Sequence, residues 1–266
     1  MKSLLLNRHG NKNKIAKNII SLFPEHDIYI ECFFGAGGIF FNKPLAKKSI
    51  LNDIDDDVYN LYTVIQNNKD ELIKQWDDVI IHNSLFKYWI KNKETDPIRK
   101  AIRFLYLSNL SYLGTMETMK IALDNSFHYK TKVNDNIDNV YNMLKKAIFS
   151  NKDVISFLKS FSERHPEKLD KKIFVYCDPP YINTDHNYKN NFSLEEFTNM
   201  IDLLISKRLK FAISEQNNNK ILEIAKSRNL NIFTVKTILN QANQSYRKEI
   251  LITNYDLYKQ NYFFDD

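Results

Sequence analysis

The chain has 266 residues, 43% hydrophobic and 26% charged, which suits one large globular domain or one domain carrying an insertion. Its net charge of +6 permits a polyanionic partner without requiring one, and no apolar run approaches the roughly 18 residues needed to cross a membrane as a helix. Two cysteines, Cys32 and Cys177, without Cys/His ligand spacing exclude an ordinary structural zinc site and read as reduced thiols of a cytoplasmic protein, and the leucine run in "MKSLLLNRHGNK" is too short for a secretory segment.

In chain order, a helical pattern covers about 12–22, and the apolar run "IYIECFF" (28–34) predicts a buried strand that enters the glycines of "GAGG". "KKSIL" (47–51) is a second strand, followed by "NDIDDD" and a helix over about 56–68. About 95 residues then separate this strand from the next, "AIFS" (147–150), far more than one crossover helix needs. The excess carries helical patterns in "DELIKQWDDVIIHNSLFKYWIKN" and "PIRKAIRFLYLSNLSYL" and ends in polar "DNSFHYKTKVNDN". After it come a helix at about 153–163, a strand "KIFVYC" (172–177), a helix at 193–207, a strand "LKFAIS" (209–214) and a helix at 218–228. The last strands, "NIFTVK" (231–236) and "EILITNY" (249–255), are close enough to form an antiparallel edge hairpin. Strands alternating with helices predict an α/β doubly wound sheet, mostly parallel. One domain built from 1–58 and 145–266 is then interrupted by a mainly helical subdomain at 59–144.

Two motifs carry chemistry. In "FFGAGGIFF" (33–41) a strand runs into glycines, where Gly35, Gly37 and Gly38 would let backbone approach a ligand. The dinucleotide fingerprint fails, because its third glycine position is Phe40. Asp53, just past the second strand, can accept both hydroxyls of a ribose; the plainer alternative is a tight turn followed by a helix cap at Asp53 or Asp55. The second motif is "DPPY" (178–181), after a strand. An exocyclic base amine is a poor nucleophile because its lone pair is delocalised into the ring. Two acceptors aimed at its hydrogens free that lone pair. The Asp178 carboxylate can be one and the Pro179 carbonyl the other, held by the stiff Pro179–Pro180 backbone, while Tyr181 stacks on a base taken out of its helix. The plainer alternative is a strand ended by prolines with Tyr181 packed in the core.

"FFGAGG", "NDID" and "DPPY", in this order, resemble S-adenosylmethionine-dependent DNA amino-methyltransferases. "RHGNKNKIAKNII", "NKDVISFL", "NFSLEEFTNMIDLL" and "RKEILITNY" look like the Dam-like, alpha-group adenine-N6 family. The resemblance implies a Rossmann-like methyltransferase sheet, 59–144 as a target-recognition subdomain, double-stranded DNA as partner, a restriction endonuclease as a possible companion, and no metal. It places Lys12 near cofactor and target base, Phe34, Gly35, Ala36 and Gly37 at the methionine end of the cofactor, Asp53 on its ribose, Asp153 on its adenine amine, and Asp178, Pro179, Pro180 and Tyr181 in the catalytic clamp. "SFHYKTK" (126–132) is loosely similar to the family's recognition hairpin, so His128, Lys130 and Lys132 either meet phosphates or belong to a solvated loop. The sequence departs from the family at Arg8, where an aromatic residue is usual, at His9, and in "SNLSYLGTM" (108–116). Cytosine-N4 transfer, RNA adenine-N6 transfer and a catalytically silent nucleic-acid-binding paralogue are the alternatives.

Overall fold

The computed structural model describes residues 5–8, 10–120, 126–164, 172–182, 192–240 and 245–257. Seven strands form one sheet in the order β3-β2-β1-β4-β5-β7-β6. They are β1 (Ile28–Glu31), β2 (Lys48–Asn52), β3 (Ile148–Ser150), β4 (Ile173–Cys177), β5 (Lys210–Gln216), β6 (Asn231–Asn240) and β7 (Ser245–Thr253). β1 pairs in parallel with β2 and β4, and β4 with β5. β7 runs antiparallel between β5 and β6, so the last two strands form the expected hairpin at one edge. The chain clusters into two compact units.

One unit comprises Ile15–Phe33, Ala46–Leu51 and Lys152–Asp266. It contains most of the strands together with α1 (Ala16–Ile20), α6 (Val154–Arg164), α7 (Leu194–Ser206) and α8 (Asn219–Ser227). β4 is buried at all five positions, which explains its unbroken apolar run: both faces of a central parallel strand are covered. Val175 and Cys177 of β4, with Phe211, Ile213, Ile250 and Ile252, meet Phe157 of α6, Phe197 and Met200 of α7 and Ile221 of α8. Each such aliphatic or aromatic side chain contributes about 1.5–3 kcal/mol by leaving water. The alternate residues Phe174 and Tyr176 point the other way, into an aromatic group with Phe23 and Tyr29. α7 starts where the sequence supplies a capping box: the Ser193 hydroxyl accepts from the Glu196 N–H while the Glu196 carboxylate accepts from the Ser193 N–H.

The other unit comprises Met1–Lys14, Phe34–Leu45 and Asn52–Asn151. Its helices are α2 (Asp56–Asp78), α3 (Asn83–Lys91), α4 (Pro97–Leu110) and α5 (Ser126–Leu144). α4 is capped by Asp96 with proline at its first turn and is buried from Ala101 through Leu110. The helix predicted over 56–68 runs on to Asp78, bent where Asn68 leaves helical geometry (φ −138°, ψ 32°). Within the insertion only the stretch 126–132 differs from expectation. From Ser126 onward it is helical rather than a hairpin or a solvated loop. Val133, Ile137, Val140 and Leu144, three or four residues apart, form one buried stripe that the intervening Asn and Asp residues disguise.

Candidate active site

In the glycine loop, Gly35 (φ +52°) and Gly37 (φ +71°) adopt the left-handed backbone that favours glycine. An added Cβ at Gly37 would collide with the Phe41 ring, whereas one at Gly35 would meet nothing within 4 Å. The loop is therefore packed on one side and open over Gly35. The Phe34 ring does not reach that opening. It is buried and set edge-on to Phe40, Phe41, Tyr62 and Phe149, and Ala36 is buried too, so the loop presents backbone rather than side chains.

Asp53 is tied to this loop. Its Oδ2 accepts from the Gly35 N–H at 2.6 Å and its Oδ1 from the Asp55 N–H at 2.8 Å. A carboxylate has about four lone-pair sites, so these two bonds leave acceptor capacity. Asn151 steadies the backbone here by donating to the carbonyls of Asp53 (2.8 Å) and Ile54 (3.1 Å). Burial pushes the Asp53 carboxyl above its ordinary range, while the Arg8 guanidinium and the two backbone N–H groups pull against that rise. Arg8 pairs with Asp55, Nη2 to Oδ2 at 3.0 Å, and lies 5.8 Å from the centre of the Phe104 ring. The residue that departs from the resembling family is thus anchored by an acid at the start of α2 and an aromatic ring on α4. Lys12 belongs to the same unit and is buried, its Nζ 3.5 Å from the Gly10 carbonyl. The first motif also touches the glycine loop: Asn42 donates to Asn13 at 2.6 Å, and a Cβ on Gly38 would collide with the Asn11 side chain. Lys12, the glycine loop and Asp53, far apart in sequence, are therefore gathered in one compact unit.

The clamp motif belongs to the other unit. β1 and β4 are parallel neighbours with Glu31 opposite Tyr176, and the Cys32 N–H donates to the Tyr176 carbonyl at 3.0 Å. Cys32 and Cys177 consequently lie side by side, both buried and reduced, and burial together with Cys32 raises the Cys177 thiol well above its ordinary value. Asp178 follows directly, half-buried, then a buried Pro179 and half-exposed Pro180 and Tyr181. The Tyr181 hydroxyl donates to Glu249 Oε2 on β7 at 2.9 Å. Asp153 precedes α6 and caps it, its carboxylate accepting from the Ser156 N–H at 2.8 Å, a bond that lowers its pKa.

Of the three basic candidates, Lys130 donates to the Asp77 carbonyl at 2.6 Å. Lys132 turns inward to Asn109 Oδ1 at 3.2 Å, and burial lowers its pKa. His128 lies in the first turn of α5, with its side chain outside the described residues, as is His9. Sequence reasoning missed three buried acids: Glu31, which accepts from the Tyr29 hydroxyl at 2.8 Å, Glu215 on β5 and Glu249 on β7. The available signal was a carboxylate interrupting a strand pattern, as in "KEILIT". Among the described residues no group of three or more His, Cys, Asp or Glu is arranged to hold a metal, and no helix is long and apolar enough to cross a membrane.

The family model of D12 class N6 adenine-specific DNA methyltransferases matches residues 9–241. The chain belongs to that family. It is similar to the DNA adenine methylase of Salmonella typhi, 25% identical over 261 residues that cover 91% of this chain and 90% of the relative. The DNA adenine methylase of Haemophilus influenzae is 28% identical over 240 residues, covering 81% of this chain and 80% of the relative. The modification methylase StsI of Streptococcus sanguinis is 25% identical over 94% of this chain, which spans only 42% of that longer protein. As a D12 class enzyme this chain methylates adenine in DNA and takes the methyl group from a donor cofactor. The mostly parallel sheet with an antiparallel edge is the Rossmann-like architecture expected of such an enzyme.

Proposed function

We propose that the enzyme is a site-specific methyltransferase whose donor is S-adenosylmethionine, and that it acts on an adenine swung out of duplex DNA. The observation that carries the donor assignment is the Asp53 carboxylate, held by the Gly35 and Asp55 N–H groups beside an opening over the glycine loop. This fits a nucleoside cofactor: the carboxylate retains acceptor capacity for ribose hydroxyls, and the backbone at Gly35 allows close approach. Lys12, Gly35, Gly37 and Asp53 would hold the donor, with Phe34 and Ala36 contributing backbone and Asp153 reaching the adenine amine. When bound, the donor supplies a methyl carbon made electrophilic by a sulfonium.

The chain's own task is to make a poor nucleophile reactive. Asp178 and the Pro179 carbonyl accept the two N6 hydrogens and draw the nitrogen toward tetrahedral geometry. The two prolines stiffen the backbone that carries both acceptors. Tyr181 supplies the stacking face for the extruded base. Much of the rate comes from positioning, because the leaving group is already activated. The methylated amine is acidic enough to lose its proton to water, so Asp178 need not be a strong base.

The helical segment 59–144 is proposed as the target-recognition part, with His128, Lys130 and Lys132 on the helix that closes it. For Lys130 and Lys132 to reach phosphates, each must exchange its present intramolecular bond for one to DNA. A separately acting restriction endonuclease and a cytoplasmic, DNA-associated setting are part of the same reading.

The test is transfer from methyl-labelled S-adenosylmethionine to mixed-sequence duplex DNA, followed by digestion to nucleosides and mass identification. N6-methyladenine is the expected product. Asp178→Ala should lower transfer by at least about 100-fold while donor affinity stays within about threefold. Joint loss of transfer and donor binding would make Asp178 a structural residue, and N4-methylcytosine would overturn the base assignment.

A further inference from the structure

The Tyr181–Glu249 contact has no counterpart in the chemistry derived so far. Glu249 lies in β7 opposite Gln216 of β5 and is followed by the buried run Ile250, Leu251 and Ile252. It is 6% exposed. A carboxylate withdrawn this far from water is costly unless it is strongly hydrogen-bonded, and an apolar side chain would hold the strand at least as well. The phenolic O–H of Tyr181 meets it at 2.9 Å, from a residue 68 positions away in sequence. Both residues belong to the same compact unit.

The geometry of Tyr181 gives this contact a purpose. Pro179 and Pro180 restrict the backbone that delivers the ring, so its near end is set. The side-chain torsions remain, and nothing in the proline pair restrains them. A hydrogen bond from the hydroxyl to a carboxylate seated on a sheet strand holds the far end. A ring held at both ends has a defined tilt, and stacking depends on tilt.

We propose that Glu249 is a positioning residue for methyl transfer: through its hydrogen bond it sets the orientation of the Tyr181 ring against which the target adenine stacks. This rests on the reading of Tyr181 as the stacking face. Glu249 acts through Tyr181 and does not itself meet the reacting atoms.

The experiment is a double-mutant cycle on single-turnover methyl transfer at saturating DNA and S-adenosylmethionine, with donor affinity and thermal midpoint measured alongside. Glu249→Ala and Tyr181→Phe should each slow transfer by about 10- to 100-fold, with donor affinity within about threefold of the parent. The double variant should be no slower than the slower single, because one bond is removed twice. Glu249→Gln retains an acceptor oxygen and should recover most of the rate. Full rate in Glu249→Ala, a Gln variant as slow as the Ala variant, or losses that multiply would each overturn the proposal. Should Glu249→Ala fail to fold, Tyr181→Phe breaks the same bond from the other side, and full rate there overturns it equally. Tyr181→Ala separates the two ideas. Full rate in that variant removes the stacking reading and this proposal together. A crippled Tyr181→Ala beside an intact Tyr181→Phe and Glu249→Ala keeps the stacking face and removes Glu249.

Discussion

At the scale of single residues, the protein places charge where burial makes it expensive and then compensates locally. Asp53 is the clearest case. Burial raises its pKa, and Arg8 together with the N–H groups of Gly35 and Asp55 opposes the rise without cancelling it. The sign matters. A carboxyl whose folded pKa is raised is easier to protonate in the fold, so acidification through that value relieves its burial rather than unfolding the protein. On the proposed reading of Asp53 as the ribose acceptor, donor binding responds oppositely, because only the ionised carboxylate accepts from two hydroxyls. Affinity for S-adenosylmethionine should therefore be level near neutrality and fall with acid from a pH above the ordinary carboxylate range. Arg8→Ala should move the onset of that fall to still higher pH, because it removes an opposing charge. Calorimetric titration across the acid limb checks this, and an unmoved onset in Arg8→Ala would separate Arg8 from the donor site. None of this was legible at Arg8 itself, which stood out only as a departure from the resembling family. Its partners Asp55 and Phe104 lie 47 and 96 residues further on.

At the scale of elements, the strands and the capped helices were readable because their signals are local. β4 declares itself by a continuous apolar run, and α7 by a serine followed three residues later by glutamate. Only the start of α5, 126–132, reads in the sequence as either a hairpin or a solvated loop, because polar residues dominate there while the four residues that hold the helix are spread over its next three turns. Ile137 is 1% exposed on this stripe, whereas Asn139 is exposed. Ile137→Ala should cost about 2–4 kcal/mol and Asn139→Ala close to nothing. At about 2–4 °C per kcal/mol for a chain of this size, Ile137→Ala should lower the thermal midpoint by about 4–16 °C. Equal midpoints for the two variants would mean that this stripe does not hold α5 in place.

At the scale of the whole molecule, the relevant quantities are net charge and the order of motifs along the chain. A net charge of +6 is compatible with DNA but is not a footprint of it. Counterion release gives a sharper statement. If the enzyme neutralises about five phosphates, the logarithm of its affinity for non-specific duplex should fall against the logarithm of salt with slope about −4.5. Fluorescence anisotropy over a salt series measures that slope, and a flat series would mean that the basic excess is spread over surfaces that never meet DNA. The order in which glycine loop, long insertion and "DPPY" follow one another was visible from the start, and the family match over residues 9–241 agrees with it.

The sequence by itself determined the alternation of strands and helices, the edge hairpin, the family and the reaction class. Those rest on hydrophobic period and on short motifs, both of which are properties of neighbouring residues. Tertiary structure alone decided that Asp53 is held by the Gly35 N–H, that Arg8 is anchored between Asp55 and Phe104, that Lys132 turns inward to Asn109, and that Tyr181 leans on Glu249. Each of these joins residues from different parts of the chain. Partners that meet only after the backbone has turned back on itself leave no period and no motif, because the energy that selects them comes from burial and hydrogen bonding in the finished fold.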